Sequence, residues 1–187
     1  HLVQFAKMGS VFSEKVVGVT DPVVKLLNIG EEQEKGNELT LETYQLLKKA
    51  KDIRFEGNIE PKHLLDGDLD VVVCDGFVGN VILKFGEGAT SMLFKMIKHN
   101  VKKNWLATIG AILMMPVLRQ LKKRVEYDEF GGTLLLGVKK IIIITHGSAS
   151  PKAICNGILE AKKAILEKVI ERIEEVVSQT SEDADES

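Results

Sequence analysis

The chain has 187 residues, with 25 Lys and Arg against 27 Asp and Glu, for a net charge of −2. Apolar residues are 44% and charged residues 28%, which suits one globular domain or part of a larger one and leaves no basic field to attract nucleic acid. Aromatics are only 5%, the 2 cysteines form no paired motif, and His1, His63, His99 and His146 lack metal-ligand spacing, so no metal and no cofactor is implied.

Residues 1–17 read as helical, with a possible break at Gly9-Ser10. Neither an initiator Met nor a cap precedes His1, so the chain is expected to start inside an element, with sequence upstream of it. Thr20-Asp21-Pro22 is a turn, and 23–29 is a strand. A charged loop, 31–38, leads to a helix capped by Asn37 or Thr40 and reaching about residue 51. A short strand at 53–55 meets Gly57-Asn58, and Pro61 opens a helical segment to Leu65.

The stretch Asp70-Val71-Val72-Val73-Cys74-Asp75-Gly76-Phe77-Val78-Gly79-Asn80 has the layout of a buried parallel strand running into a loop and a helix. That helix runs from 77 to about 103, with a possible kink near Gly86 and Gly88. An apolar segment (105–118), a basic one (119–124) and a Gly-rich loop (127–138) follow. A strand at 140–144 ends in Thr145-His146-Gly147-Ser148, and Ser150-Pro151 caps a helix to about 177. Residues 178–187 are polar and acidic, and a disordered tail is expected there. Alternating strands and helices predict an α/β fold with a mostly parallel sheet.

Ligands bind at the carboxyl ends of such strands. Glycine lets the backbone approach a ligand, and helix-opening amides favour anions. The loops therefore nominate Gly36, Asn37, Asn58, Gly76, Gly79, Gly147 and Ser148 as substrate-binding residues. Lys35 can neutralise a phosphate or a developing oxyanion, or simply pair with a neighbouring glutamate in solvent. Asn80 can donate to a carbonyl or phosphate oxygen, or make a local turn bond. Asp75 can orient a base or cap the helix at Phe77, and His146 can serve as general acid or base or bond its own loop. No nucleophile elbow, P-loop or dinucleotide fingerprint is present.

The 105–118 segment carries no charge and is flanked by Lys95, Lys98, Lys102 and Lys103 before it and Arg119, Lys122, Lys123 and Arg124 after it. It is too short to cross a bilayer, which takes roughly 20 residues. Gly110 and Pro116 suggest a helical hairpin, about 95–124, whose apolar tip dips into an anionic membrane surface. Trp105, Leu106, Ile109, Ile112 and Leu113 are the docking candidates; a core helix or dimer contact is the other possibility.

Gln4 to Ser10, Leu26 to Glu32 with Lys35-Gly36-Asn37-Glu38, Val71 to Asn80, Tyr127 to Val138 and His146-Gly147-Ser148 together closely resemble the PlsX family of bacterial phosphate acyltransferases. The resemblance covers residues 1–177, as the carboxyl-terminal portion of the enzyme, and leaves out the acidic tail. It implies a three-layer α/β/α fold like that of isocitrate and isopropylmalate dehydrogenases, in a homodimer. The implied reaction moves a fatty acyl group from acyl carrier protein to inorganic phosphate. A cytoplasmic enzyme peripherally attached to the membrane is implied, with Lys35 and Asn80 in the characteristic active-site loops. The family's opening strand and its Gly-Gly-Asp loop have no counterpart here, and Leu134 stands where the family usually has proline. The rival readings are a phosphate acetyl- or butyryltransferase using coenzyme A thioesters, and a non-catalytic membrane-docking module.

Overall fold

The computed structural model describes residues 1–103, 105–118, 120 and 131–185. Helix α1 (Leu2–Phe12) opens the chain and continues through Gly9-Ser10 into a wider π turn, Ser13–Val17, which stops at left-handed Gly18. Then come β1 (Val23–Leu27), α2 (Glu38–Lys49), β2 (Arg54–Ile59), a 3-10 turn (Pro61–His63) and β3 (Val71–Val73). The three strands form one parallel sheet in the order β2-β1-β3. The chain is thus α/β with a parallel sheet, as its alternating pattern predicts.

Burial follows the strand period. Val24 and Leu26 of β1 lie on one face and are fully buried with Leu2 and Ala6 of α1, Leu47 of α2, Ile53 and Val73. Such side chains each contribute about 1.5–3 kcal/mol when removed from water. Lys7 leaves α1 in the other direction. Its ammonium is nearly buried, 2.8 Å from the Asp52 carboxylate, and ties α1 to the turn before β2.

Strand β2 corrects the sequence reading. Gly57 and Asn58 were expected in a loop, but they lie inside the strand, which runs on to Ile59. The register jumps from Val24 opposite Phe55 to Leu26 opposite Asn58, so β2 carries an extra residue. This is a bulge, and Gly57 absorbs it at φ +86°, a conformation that side chains with a Cβ rarely adopt.

After β3, α3 (Gly76–Val101) is one helix of 26 residues, continuous through Gly86 and Gly88, with no buried residue along it. Helix α4 (Trp105–Leu113) follows almost at once, and its Thr108 hydroxyl donates to the Val101 carbonyl at 3.0 Å. Arg119 and 121–130 lie outside the described residues, so the basic end of the expected hairpin and the first part of the Gly-rich loop do too.

The second correction concerns the fourth strand. Only Ile143–Ile144 (β5) is extended, and it pairs antiparallel with Thr133–Leu134 (β4), which falls inside the stretch read as a loop. Together they form a separate two-stranded sheet. The connection from Leu134 to Ile143, residues 135–142, is too short for a parallel crossover, which needs a dozen or more residues. The last helix is also two. Helix α5 (Pro151–Leu166) ends at Glu167, Lys168 turns at φ +52°, and α6 (Val169–Asp185) begins, carrying helix into the stretch read as a tail. Met8 and Val11 of α1 pack with Leu134, Ala164, Val169 and Ile173 into a second core. Helix α1 therefore joins the two sheets' cores. Cys155 on α5 is exposed.

Candidate active site

Because β1, β2 and β3 are parallel, their carboxyl ends open on one edge of the sheet. The loop after β1 is built around two buried asparagines. Asn28 extends the ladder by one bond, its N–H donating to the Ile59 carbonyl at 2.9 Å. Its Nδ2 donates to the Lys35 carbonyl at 2.8 Å, and its Oδ1 accepts from the Ile29 N–H at 2.9 Å. Asn58, arriving on β2, donates Nδ2 to the Glu32 carbonyl at 2.8 Å. The Lys35 N–H closes the same turn on the Glu32 carbonyl at 3.2 Å.

Gly36 follows at φ +108°, and a Cβ there would run into Thr40 Oγ1 and Asn28 Oδ1. Only glycine fits both the space and the conformation. Asn37 then caps α2, its Oδ1 accepting from the Thr40 N–H at 2.9 Å while the Thr40 hydroxyl donates to the Asn37 carbonyl at 2.9 Å. Asn37→Ala should lower stability by about 1 kcal/mol in urea unfolding, the usual cost of a lost cap. Within this frame Lys35 is exposed, and its ammonium has no ion-pair partner among the described residues, so the pairing with a neighbouring glutamate weighed from the sequence is not seen.

The turn after β3 leaves from the strand next to β1, where Leu26 stands opposite Val73. Neighbouring strands lie about 4.8 Å apart, so this turn and the Lys35 loop share one rim. Asp75 Oδ1 accepts from the Phe77 and Val78 N–H groups, each at 2.9 Å, and so caps α3. Gly76 opens α3, and Gly79 lies beside the Cys74 thiol. Burial, and then the Asp75 charge, push the Cys74 thiol above its usual range. Asn80 stands exposed in the first turns of α3.

His146 lies elsewhere. It follows the short antiparallel strand β5, and no hydrogen bond or ion pair joins it to the Lys35 loop or to Asn80 among the described residues. Its Nδ1 accepts from the Ser148 N–H at 3.2 Å, with the Ser148 hydroxyl at 2.7 Å, while Gly147 makes the turn between them. The local loop bond weighed from the sequence is therefore present.

The rim is open. One groove of about 620 Å³ runs along α3 at Gly88, Met92, Lys95 and His99, and one of about 390 Å³ lies between α2 and β2. Neither includes Lys35, Asn80 or His146. Sequence reasoning named Asn58 but missed Asn28. The available signal was an Asn immediately after an apolar strand and two residues before Gly30.

These features define an α/β protein whose candidate site is a glycine- and asparagine-shaped rim with an exposed lysine, Lys35, at the carboxyl edge of a parallel sheet. The chain belongs to the family of fatty acid synthesis proteins, whose pattern matches residues 1–172. It is 49% identical to a phosphate acyltransferase of Clostridium perfringens over 98% of its own length and 54% of that protein. It is 50% identical to the phosphate acyltransferase of Pelotomaculum thermopropionicum (92% of this chain, 50% of the relative). The enzyme of the same name from Thermosynechococcus vestitus is 48% identical (93% and 51%). The chain thus spans about half the length of the curated relatives it matches, and the resemblance drawn from the motifs holds.

Proposed function

We propose that this chain serves a phosphate acyltransferase that moves a fatty acyl group from acyl carrier protein to inorganic phosphate. The observation that carries this reading is the match of nearly the whole chain, at 49% identity, to proteins of that named activity. The rim supports it: a phosphate needs positive charge and a backbone that can approach closely, and the Lys35-Gly36-Asn37 loop offers both.

In the proposed reaction a phosphate oxygen attacks the thioester carbonyl carbon, the C–O bond forms, and negative charge builds on the carbonyl oxygen. The C–S bond then breaks, and the carrier leaves as a thiolate that takes up a proton. Phosphate is already a competent nucleophile, so no covalent enzyme intermediate is required. The protein's task is to bring two anions together and hold the oxyanion. Lys35 neutralises phosphate or the oxyanion, and Asn80 orients the acyl carbonyl with its side-chain amide. Asp75 contributes by fixing the start of α3, and Gly76 and Gly79 let the backbone approach. His146, with Gly147 and Ser148, is assigned to proton handling at the same substrates.

The finer architecture belongs to the same proposal: a three-layer α/β/α homodimer of the isocitrate dehydrogenase type, with a helical hairpin over about 95–124 whose apolar tip includes α4. Among the described residues no helix is long and apolar enough to cross a membrane. All five docking candidates on α4 are exposed, from 49% at Ile109 to 77% at Leu113. That favours peripheral attachment to an anionic surface over a core helix.

The test is acyl-phosphate formation from phosphate and long-chain acyl carrier protein, with acetyl- and butyryl-coenzyme A as competing donors. It should be run on this chain and on a version carrying the upstream sequence of its relatives. Turnover with the carrier-bound donor is the expected result. Turnover with the coenzyme A donors alone would move the protein to the short-chain class, and vesicle binding with no turnover would make it a docking module.

A further inference from the structure

We propose that Asn28 and Asn58 are positioning residues for Lys35: two buried amides from adjacent strands set where its ammonium stands. The inference rests on the phosphate acyl transfer reading above.

The loop that bears Lys35 has little to hold it. Residues 31–38 are all exposed, and Glu31, Glu32, Glu34 and Glu38 repel one another. No apolar side chain in 31–38 anchors it to a core. Two exposed side-chain contacts reach it, His63 to Glu31 at 3.8 Å and Lys48 to Gln33 at 3.5 Å; its backbone is fixed by a clasp at two carbonyls, Glu32 from Asn58 and Lys35 from Asn28, each at 2.8 Å. The Lys35 N–H bond to the same Glu32 carbonyl locks the two points together. Lys35 is therefore held on both sides of its own Cα: its carbonyl directly by Asn28, and its N–H through the Glu32 carbonyl that Asn58 also grips.

Both donors are rigid. Asn28 is 6% exposed and Asn58 5%, and they sit where β1 and β2 are still paired, with Leu26 opposite Asn58 and Leu27 opposite Ile59. The bulge at Gly57 advances β2 by one residue relative to β1, and that advance brings Asn58 into line with Leu26. Asn58 Oδ1 is buried with no partner among the described residues. A side chain retained only to fill space would be apolar, because an unpaired buried acceptor carries a desolvation cost. The amide is kept for the bond its nitrogen makes.

The carboxylate isostere Asp keeps the shape, removes the donor and sets a negative oxygen against a carbonyl oxygen. With the upstream sequence present, Asn28→Asp should lower kcat/KM for phosphate by about 10²-fold, as misplacement by an ångström does. KM for the acyl donor should stay within about twofold. The decisive measurement is the same substitution on a Lys35→Ala background, where it should cost nothing further, since residues that act through one another are not additive. Asn28→Ala, which removes the donor without adding charge, should give the same pattern and replaces Asn28→Asp if that variant does not fold. An active wild type whose Asn28 and Lys35 losses simply multiply would overturn the clasp and leave the transferase reading standing. A wild type with no acyl transfer would overturn the reading on which the clasp rests.

Discussion

Lys35→Ala should reduce acyl-phosphate formation by about 10²–10³-fold, the usual cost of removing one group that stabilises a developing oxyanion. The fold should be untouched. Lys35 is exposed and only the base of its side chain, at Cβ and Cγ, lies near Gly30, so the change in unfolding free energy should stay within about 0.5 kcal/mol. The frame that presents it would also survive, because Asn28 and Asn58 grip backbone carbonyls, which alanine still provides. Lys35→Arg separates two roles. If the site needs only positive charge near phosphate, arginine should restore much of the rate. If it needs a compact ammonium at one point, the planar guanidinium will not replace it. Steady-state rates against phosphate concentration, with circular dichroism to confirm folding, decide the matter. A fully active Lys35→Ala enzyme would remove Lys35 from the chemistry and leave the rim without its positive group.

What the sequence disclosed, and what it withheld, follows from how each feature is encoded. The parallel strands at 23–27 and 71–73 were legible because runs such as Val71-Val72-Val73 are short, β-branched and closed by Asp-Gly. The helix caps Asn37, Asp75 and Ser150 were legible for a similar reason, since capping is a local rule. Strand β2 was read short because Gly57 looks like a turn. Its role as a bulge depends on β1, a partner thirty residues away in sequence, and no local window contains it. The antiparallel pairing of β4 with β5 was hidden in the same way: Ile141 to Ile144 is apolar enough for a parallel strand, and only its partner reveals the direction. The break at Lys168 had no signal at all, since lysine rarely takes φ +52° and the flanking sequence is helical throughout. At the site, Lys35 was conspicuous as a cation among glutamates. Asn28 was not, because its importance lies in burial and in a carbonyl seven residues away.

Replacing Leu106 and Ile112 together with glutamate should release the protein from anionic vesicles, by roughly 10³-fold in partition coefficient, without loss of soluble acyl transfer. Leu106 is 60% exposed and Ile112 61%, and their neighbours Trp105 and Leu113 are more exposed still. In water such a face has an unmet cost; in the acyl boundary of a membrane each Leu or Ile contributes about 1.5–3 kcal/mol. Lys95, Lys98, Lys102 and Lys103, all exposed before α4, add about 1 kcal/mol each where they lie near anionic headgroups. No Asp or Glu interrupts the sequence between Gly88 and Val125, so nothing there opposes that attraction. The double substitution removes two inserted side chains and adds two charges of the repelled sign. Wild-type binding should also fall with salt and with neutral phosphatidylcholine in place of phosphatidylglycerol, because the basic contribution is screened while the apolar one is not. Sedimentation with vesicles of both compositions reads the effect directly. If the double variant still sediments with anionic vesicles as the wild type does, α4 is not the dock, and its apolar face belongs to a protein contact, most simply with a second copy of the chain.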